Sequence, residues 1–271
     1  MIYVTTEFGP LAYDTSVFPG GEVFFRFKGG ILRNDRYKIR ADLHSSEDVM
    51  RLLMATDALR RAGVRHIDLV CPYFPAGRQD RVCNHGEALS LKVMANLINA
   101  QEYDSVEIWD AHSDVTPAVI DRCTNVHQLE FLKSANIRVG SYQIVAPDAG
   151  AAKKAEVVAK YFKCPLITAS KKRNPLTTEI EGTSVDLPYI GKKWTYLIVD
   201  DICDAGRTFI TLTNEIKRQD PDAVIDLYVT HGIFSAGFTY LKWRFCRIYT
   251  ANIWPDKYEG NEDFVTVLNK G

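Results

Sequence analysis

The sequence predicts an α/β fold whose mainly parallel sheets are buried on both faces. Short apolar, strand-like runs alternate with amphipathic, helix-like segments along the chain, the pattern of repeated β–α units. Each polar cluster suited to chemistry falls just after one of those runs, where open α/β sheets bind ligands. The third observation is the segment Tyr196-Leu197-Ile198-Val199-Asp200-Asp201-Ile202-Cys203-Asp204-Ala205-Gly206-Arg207-Thr208. Here apolar residues run into two acids, a third acid and a Gly-containing turn, and residues 209–217 then read as a helix. Backbone N–H groups of such a turn attract phosphate. The acids would repel it, and suit ribose hydroxyls or a Mg2+ ion between hydroxyls and phosphates. The segment therefore implies a phosphorylated sugar.

The elements follow in order. Residues 22–28, rich in Val and Phe, form a strand. Ser46–Arg61 is an amphipathic helix, with Val49, Leu52, Leu53, Thr56 and Leu59 at helical spacing, Ser45 or Ser46 as cap and Gly63 as its end. His66–Cys71 is a strand. Residues 88–99 form a helix with Leu91, Met94, Ala95 and Ile98 on one face, and Ser105–Trp109 is a strand. The rhythm then repeats: strand Tyr142–Ala146, a helix through Tyr161, a strand at 165–168, a polar basic stretch at 170–183 read as a mobile loop or ribbon, and strands at 195–199 and 224–229. The weakest pattern lies around residues 121–138, so the boundary is placed near residue 128, giving domains 1–128 and 129–271.

The 271 residues carry a net charge of −1 with both signs interspersed and no basic stripe, which speaks against nucleic acid as partner. No apolar run approaches the roughly 20 residues that span a bilayer, and the first residues lack a signal-peptide pattern. Six cysteines without Cys-x-x-Cys pairing suit reduced, cytoplasmic thiols.

Other clusters carry candidate chemistry. Arg78, Gln79, Asp80 and Arg81 follow the strand ending at Cys71. Two guanidinium groups suit a polyphosphate and Gln79 a base or ribose, although a surface Arg–Asp network has the same spacing. His112 and Asp148 each follow a strand; together they suit Mg2+ completed by water and phosphate, or a structural hydrogen bond for the histidine. Lys171, Lys172 and Arg173 form a basic run, either a solvated face or an arm that neutralises transferring phosphate.

In this order the clusters resemble the class I ribose-phosphate pyrophosphokinases (phosphoribosyl pyrophosphate synthetases). The resemblance rests on Phe18-Pro19-Gly20-Gly21-Glu22, the run from Pro72 to Arg81, Asp110-Ala111-His112, Pro147-Asp148 with Gly150, Lys171-Lys172-Arg173, the stretch from Asp200 to Thr208, and Thr230-His231-Gly232-Ile233-Phe234-Ser235. It implies two tandem phosphoribosyltransferase-like domains with the active site at their interface. It also implies transfer of the β,γ-diphosphate of ATP to the anomeric hydroxyl of a 5′-phosphorylated ribose, with release of AMP. By the same resemblance Arg78, Gln79, Asp80 and Arg81 face ATP. Phe18, Gly20, Gly21 and Glu22 complete the adenine pocket from a neighbouring subunit, which implies at least a dimer. His112 and Asp148 bind Mg2+, and Lys171 and Arg173 stabilise the transferring diphosphate. Asp200, Asp201 and Asp204 meet the ribose, and Ala205, Gly206, Arg207 and Thr208 wrap the 5′-phosphate.

The chain departs from the family at Ala205, where Thr is usual, at Arg207, where Gly is usual, at Ala151 and at Gly20. Short divergent members of this kind occur in bacteriophages, which would place the protein in host cytoplasm, and some use ADP-ribose in rebuilding NAD. Arg207 suits such a doubly phosphorylated acceptor, so ribose 5-phosphate and ADP-ribose stand as alternatives. Two rival readings are a type I phosphoribosyltransferase, which the acid–Gly–Thr loop also fits, and an inactive regulatory homologue.

Overall fold

The computed structural model describes residues 1–33, 35–135, 137–138, 140–173, 180–188 and 194–270, without the side chains of 171–173, 180–182 and 255. Two compact units divide the chain at Met1–Val126 and His127–Gly271.

The first unit comprises β1 (Ile2–Thr6), β2 (Gly9–Pro10), β3 (Tyr13–Val17), β4 (Val23–Phe27), β5 (Arg36–Ala41), α1 (Ser46–Arg61), β6 (His66–Cys71), α2 (Ser90–Asn99), β7 (Ser105–Trp109), α3 (Val115–Val119) and β8 (Cys123–Val126). Its main sheet has the order β2-β1-β5-β6-β7-β8. β5 through β8 pair in parallel, while β1 is antiparallel to both neighbours. β3 and β4 make a separate hairpin. The predicted helix 46–61 forms for the reason read from sequence. Ser45 Oγ accepts the Asp48 N–H at 3.1 Å, and the Asp48 carboxylate accepts from the Ser45 hydroxyl and the His44 N–H, a reciprocal cap. Leu52, Ala55 and Leu59 are fully buried against Ile39, Ile67 and Leu69 of the sheet.

The second unit comprises α4 (Leu129–Leu132), β9 (Tyr142–Ala146), α5 (Ala149–Phe162), β10 (Leu166–Thr168), β11 (Ser170–Arg173), β12 (Ile180–Ser184), β13 (Thr195–Cys203), α6 (Arg207–Gln219), β14 (Val224–Gly232), α7 (Thr239–Lys242), β15 (Arg247–Ile253), α8 (Pro255–Tyr258) and β16 (Val265–Val267). Its sheet, β10-β9-β13-β14-β15-β16, is parallel throughout. Phe209, Leu212 and Ile216 of α6 join Tyr196, Ile198, Ile225 and Leu227 in one core cluster.

The predicted α/β class with mainly parallel sheets is thus the observed one. Several boundaries differ. β13 and β14 run on to Cys203 and Gly232, beyond residues 199 and 229. The ladder Asp200↔Val229, Ile202↔His231, Cys203↔Gly232 keeps pairing after the apolar run ends, since a buried backbone must bond whatever its side chains. Thr230, His231 and Gly232 are therefore buried residues of the strand itself. α6 begins two residues before the predicted 209, so Arg207 and Thr208 lie in its first turn. α2 begins at Ser90 instead of residue 88. The polar stretch 170–183 contributes a β11–β12 hairpin with a bulge between Lys172 and Arg173; residues 174–179 lie outside the described residues.

All six cysteines are free. Among the described residues no helix is long and apolar enough to cross a membrane.

Candidate functional site

In the second unit the acids gather at the C-terminal end of the central strand. Strand alternation sends Asp200 and Asp201 to opposite faces of β13. Asp201 is buried, and its Oδ2 lies 3.5 Å from Lys154 Nζ on α5. Asp200 Oδ1 accepts the Asp201 N–H at 2.9 Å. Burial, then the charges of Asp201 and Asp148, push the Asp200 carboxyl well above the usual carboxylate range. A bound cation or a donating hydroxyl would oppose that shift.

Asp148 caps α5, its Oδ1 accepting the Ala151 N–H at 3.1 Å. A Cβ at Gly150 would meet that oxygen at 3.1 Å, so the glycine leaves the capping carboxylate its place. Among the described residues no group of three or more His, Cys, Asp or Glu side chains is arranged to hold a metal ion. Hard carboxylate oxygens fit Mg2+ by their chemistry, since that ion keeps several waters and substrate oxygens in its shell.

The turn after β13 opens α6. Gly206 is the helix cap, with φ +78°, and supplies no capping side chain. The first-turn N–H groups, which lack intrahelical partners, therefore have no side-chain cap from it, and the helix dipole favours an anion there. Arg207 and Thr208 are exposed on that turn, and Ala205 is half-buried. Replacing Gly206 by Ala should cost about 1–2 kcal/mol through the left-handed backbone alone, measured by urea unfolding. Wild-type stability in that variant would refute the requirement for glycine. Asp204, ahead of the turn, accepts from the Ser235 hydroxyl at 2.6 Å.

In the first unit the loop after β6 is tightly wound. Ala76 has φ +61°, a Cβ at Gly77 would meet the Phe74 carbonyl oxygen at 3.2 Å, and the Gln79 N–H donates to the Ala76 carbonyl at 2.8 Å. Arg78, Gln79 and Arg81 are exposed, whereas the Asp80 side chain is 6% exposed. The Ser113 hydroxyl, then the Arg81 guanidinium, hold the Asp80 carboxyl below the usual range. The Asp80 side chain thus turns inward while its neighbours are displayed. His112 is exposed on the turn after β7. Asp110 there is buried with φ +42°, and Asn125 Oδ1 accepts the Ala111 N–H at 3.0 Å. Phe18, Gly20, Gly21 and Glu22 form the exposed tip of the β3–β4 hairpin. It is closed by bonds from Phe18 N to Glu22 O and from Gly21 N to Phe18 O, with Gly21 at φ +94°. The Lys171 and Arg173 backbones pair with Thr183 and Ile180; their side chains lie outside the described residues.

The structure therefore brings Asp148, Asp200 and Asp201 together with Lys154, and Asp204 with Ser235. Lys154 went unread because it stands six residues beyond Asp148, a spacing with no local signature. Asn125 is likewise isolated in sequence. Ser235 lies in the recognised run from Thr230, which named it without a role.

Two α/β sheets, the first mainly and the second wholly parallel, the second with an acid-rich central strand that opens a helix through a left-handed glycine, define a phosphoribosyltransferase-type protein with an added N-terminal α/β unit. Residues 2–101 match the N-terminal domain of ribose phosphate pyrophosphokinase, and residues 130–261 match the phosphoribosyl transferase domain. The ribose-phosphate pyrophosphokinase of Bradyrhizobium diazoefficiens is 30% identical over 227 residues, 81% of this chain and 70% of that protein. That of Pyrococcus furiosus is 30% identical over 225 residues, 81% of this chain and 77% of the relative. The phosphoribosylpyrophosphate synthetase of Mycobacterium smegmatis superimposes with a TM-score of 0.80 at 22% identity, over 95% of this chain and 86% of that one, a likeness of fold. The chain belongs to the ribose-phosphate pyrophosphokinase family, whose members are transferases.

Proposed function

We propose that the protein transfers the β,γ-diphosphate of ATP to the anomeric hydroxyl of a 5′-phosphorylated ribose and releases AMP. The observation that carries this reading is the end of β13. Carboxylates suited to ribose hydroxyls stand immediately before a helix N-terminus suited to phosphate. Attack at the β-phosphorus needs in-line placement and charge neutralisation more than a strong base. In this reading Arg78 and Gln79 hold ATP, with Asp80 and Arg81 shaping their loop. Asp200 and Asp204 orient the ribose, Asp201 lies behind them beside Lys154, and Ala205 through Thr208 receive the 5′-phosphate. Asp148 and His112 are assigned to Mg2+, which when bound supplies charge neutralisation at the phosphates. Lys171 and Arg173 stabilise the moving diphosphate, each such contact contributing on the order of a few kcal/mol when water is excluded. The hairpin tip at Phe18 to Glu22 is assigned to the adenine pocket of a second copy, so the active form is at least a dimer.

Two acceptors are proposed. The names of the relatives favour ribose 5-phosphate. Arg207, exposed on the first turn of α6 where the family usually has glycine, favours the second phosphate of ADP-ribose. Purified protein with Mg-ATP and each sugar in turn should release AMP with one of them, and chelating Mg2+ should stop it. No AMP from ADP-ribose removes that acceptor, and none from either removes the transfer itself. ATP-independent consumption of an activated ribose would instead make the protein a phosphoribosyltransferase.

A further inference from the structure

We propose that Ser235 is a positioning residue for the acceptor sugar, acting through Asp204; this rests on the reading of Asp204 as a ribose ligand. Ser235 Oγ donates to Asp204 Oδ1 at 2.6 Å across 31 residues of sequence. A charge-assisted bond of that length is among the stronger ones available to a hydroxyl.

The turn that delivers Ser235 is built for fixed placement. The Cys203 carbonyl, one residue before Asp204, accepts the N–H groups of both Ile233 and Phe234, at 2.9 and 3.1 Å. The turn from β14 and the loop from β13 are thereby stapled together. Phe234 is fully buried in the left-handed region, φ +46°, its ring 4.6 Å from that of Phe238. A bulky residue held in that conformation persists only where its surroundings over-determine it. Gly232 completes the arrangement, because a Cβ there would sit 2.1 Å from the Phe234 ring. Core packing thus sets the backbone on which the exposed Ser235 hydroxyl stands. One carboxylate oxygen of Asp204 is engaged by that hydroxyl, which restricts rotation of the whole group. A carboxylate already oriented loses less freedom when it meets a sugar hydroxyl.

Calorimetric titration with ribose 5-phosphate and with ADP-ribose, alongside AMP release, tests the proposal. Ser235→Ala should weaken binding of the accepted sugar about tenfold, the size of a lost bond to a charged group. It should leave the KM for ATP and the Tm at wild-type values, and Ser235→Thr, which keeps the hydroxyl, should bind as wild type does. In an Asp204→Ala background the Ser235→Ala change should add nothing further. Unchanged sugar affinity in Ser235→Ala overturns the proposal. So does an equal loss in both backgrounds, a Thr variant as weak as the Ala variant, or a wild type that binds neither sugar. Wild-type protein that binds a sugar but releases no AMP defeats the transfer reading alone, and Ser235 is then judged on the affinity ratio.

Discussion

Asp200→Asn is expected to make the metal-free protein more stable at neutral pH while cutting diphosphate transfer by about a hundredfold, the worth of a strong bond to a charged group. The two effects share one cause. Burial, with Asp201 and Asp148 as neighbours, raises the Asp200 carboxyl well above its ordinary value. The folded state therefore holds that proton more tightly than the unfolded chain does. Stability falls as pH rises from the unfolded carboxylate value, about 3.9, through the raised folded value, and the loss is complete above it. Asparagine is similar in shape and carries no charge, so it removes this pH-dependent loss. It also removes the negative acceptor proposed for a ribose hydroxyl. Thermal melts of both proteins in chelator across pH 4 to 8 should diverge with rising pH, the variant melting higher. A variant that melts lower at neutral pH would mean that Asp200 is satisfied by its surroundings and is not held at a cost. A stability gain without loss of transfer would remove Asp200 from the chemistry.

Lys171→Ala is expected to lower kcat by about a hundredfold to a thousandfold, the cost of deleting one preorganised donor to developing charge. KM for ATP should change little, because an interaction made chiefly in the transition state leaves ground-state binding alone. The fold should persist, since residue 171 enters the hairpin through backbone pairing with Thr183. Steady-state AMP release and a thermal melt are the measurements. Wild-type turnover would reject the role given to Lys171 and would return the basic run to its bland reading as a solvated face. An inactive regulatory homologue would show no turnover to lose, so wild-type activity also decides against that rival.

How far each element was legible depends on which interactions define it. His66–Cys71, Ser105–Trp109 and Tyr142–Ala146 were read to the residue, because an apolar run bounded by polar turns contains both ends of such a strand. Helix 46–61 was equally legible, since its cap, stripe and terminating glycine are local. β13 and β14 were read short because their last residues are polar and paired by a neighbouring strand, information that no window of sequence holds. The antiparallel β1 and β2 and the hairpin strand β3 went unread. They are short or largely exposed, and their half-polar composition gives little periodicity.

The sequence alone determined the kind of fold and the acid-rich, glycine-containing segment, because periodicity and chain order record local burial and local turns. Only the tertiary structure decided which groups meet. Lys154 reaches Asp201 from another element, burial with Asp201 and Asp148 nearby raises the Asp200 carboxyl, Asp80 turns inward from its loop, and Ser235 grips Asp204. Each depends on how helices and strands pack, since short-range electrostatics and hydrogen bonds act on distance in space and not along the chain.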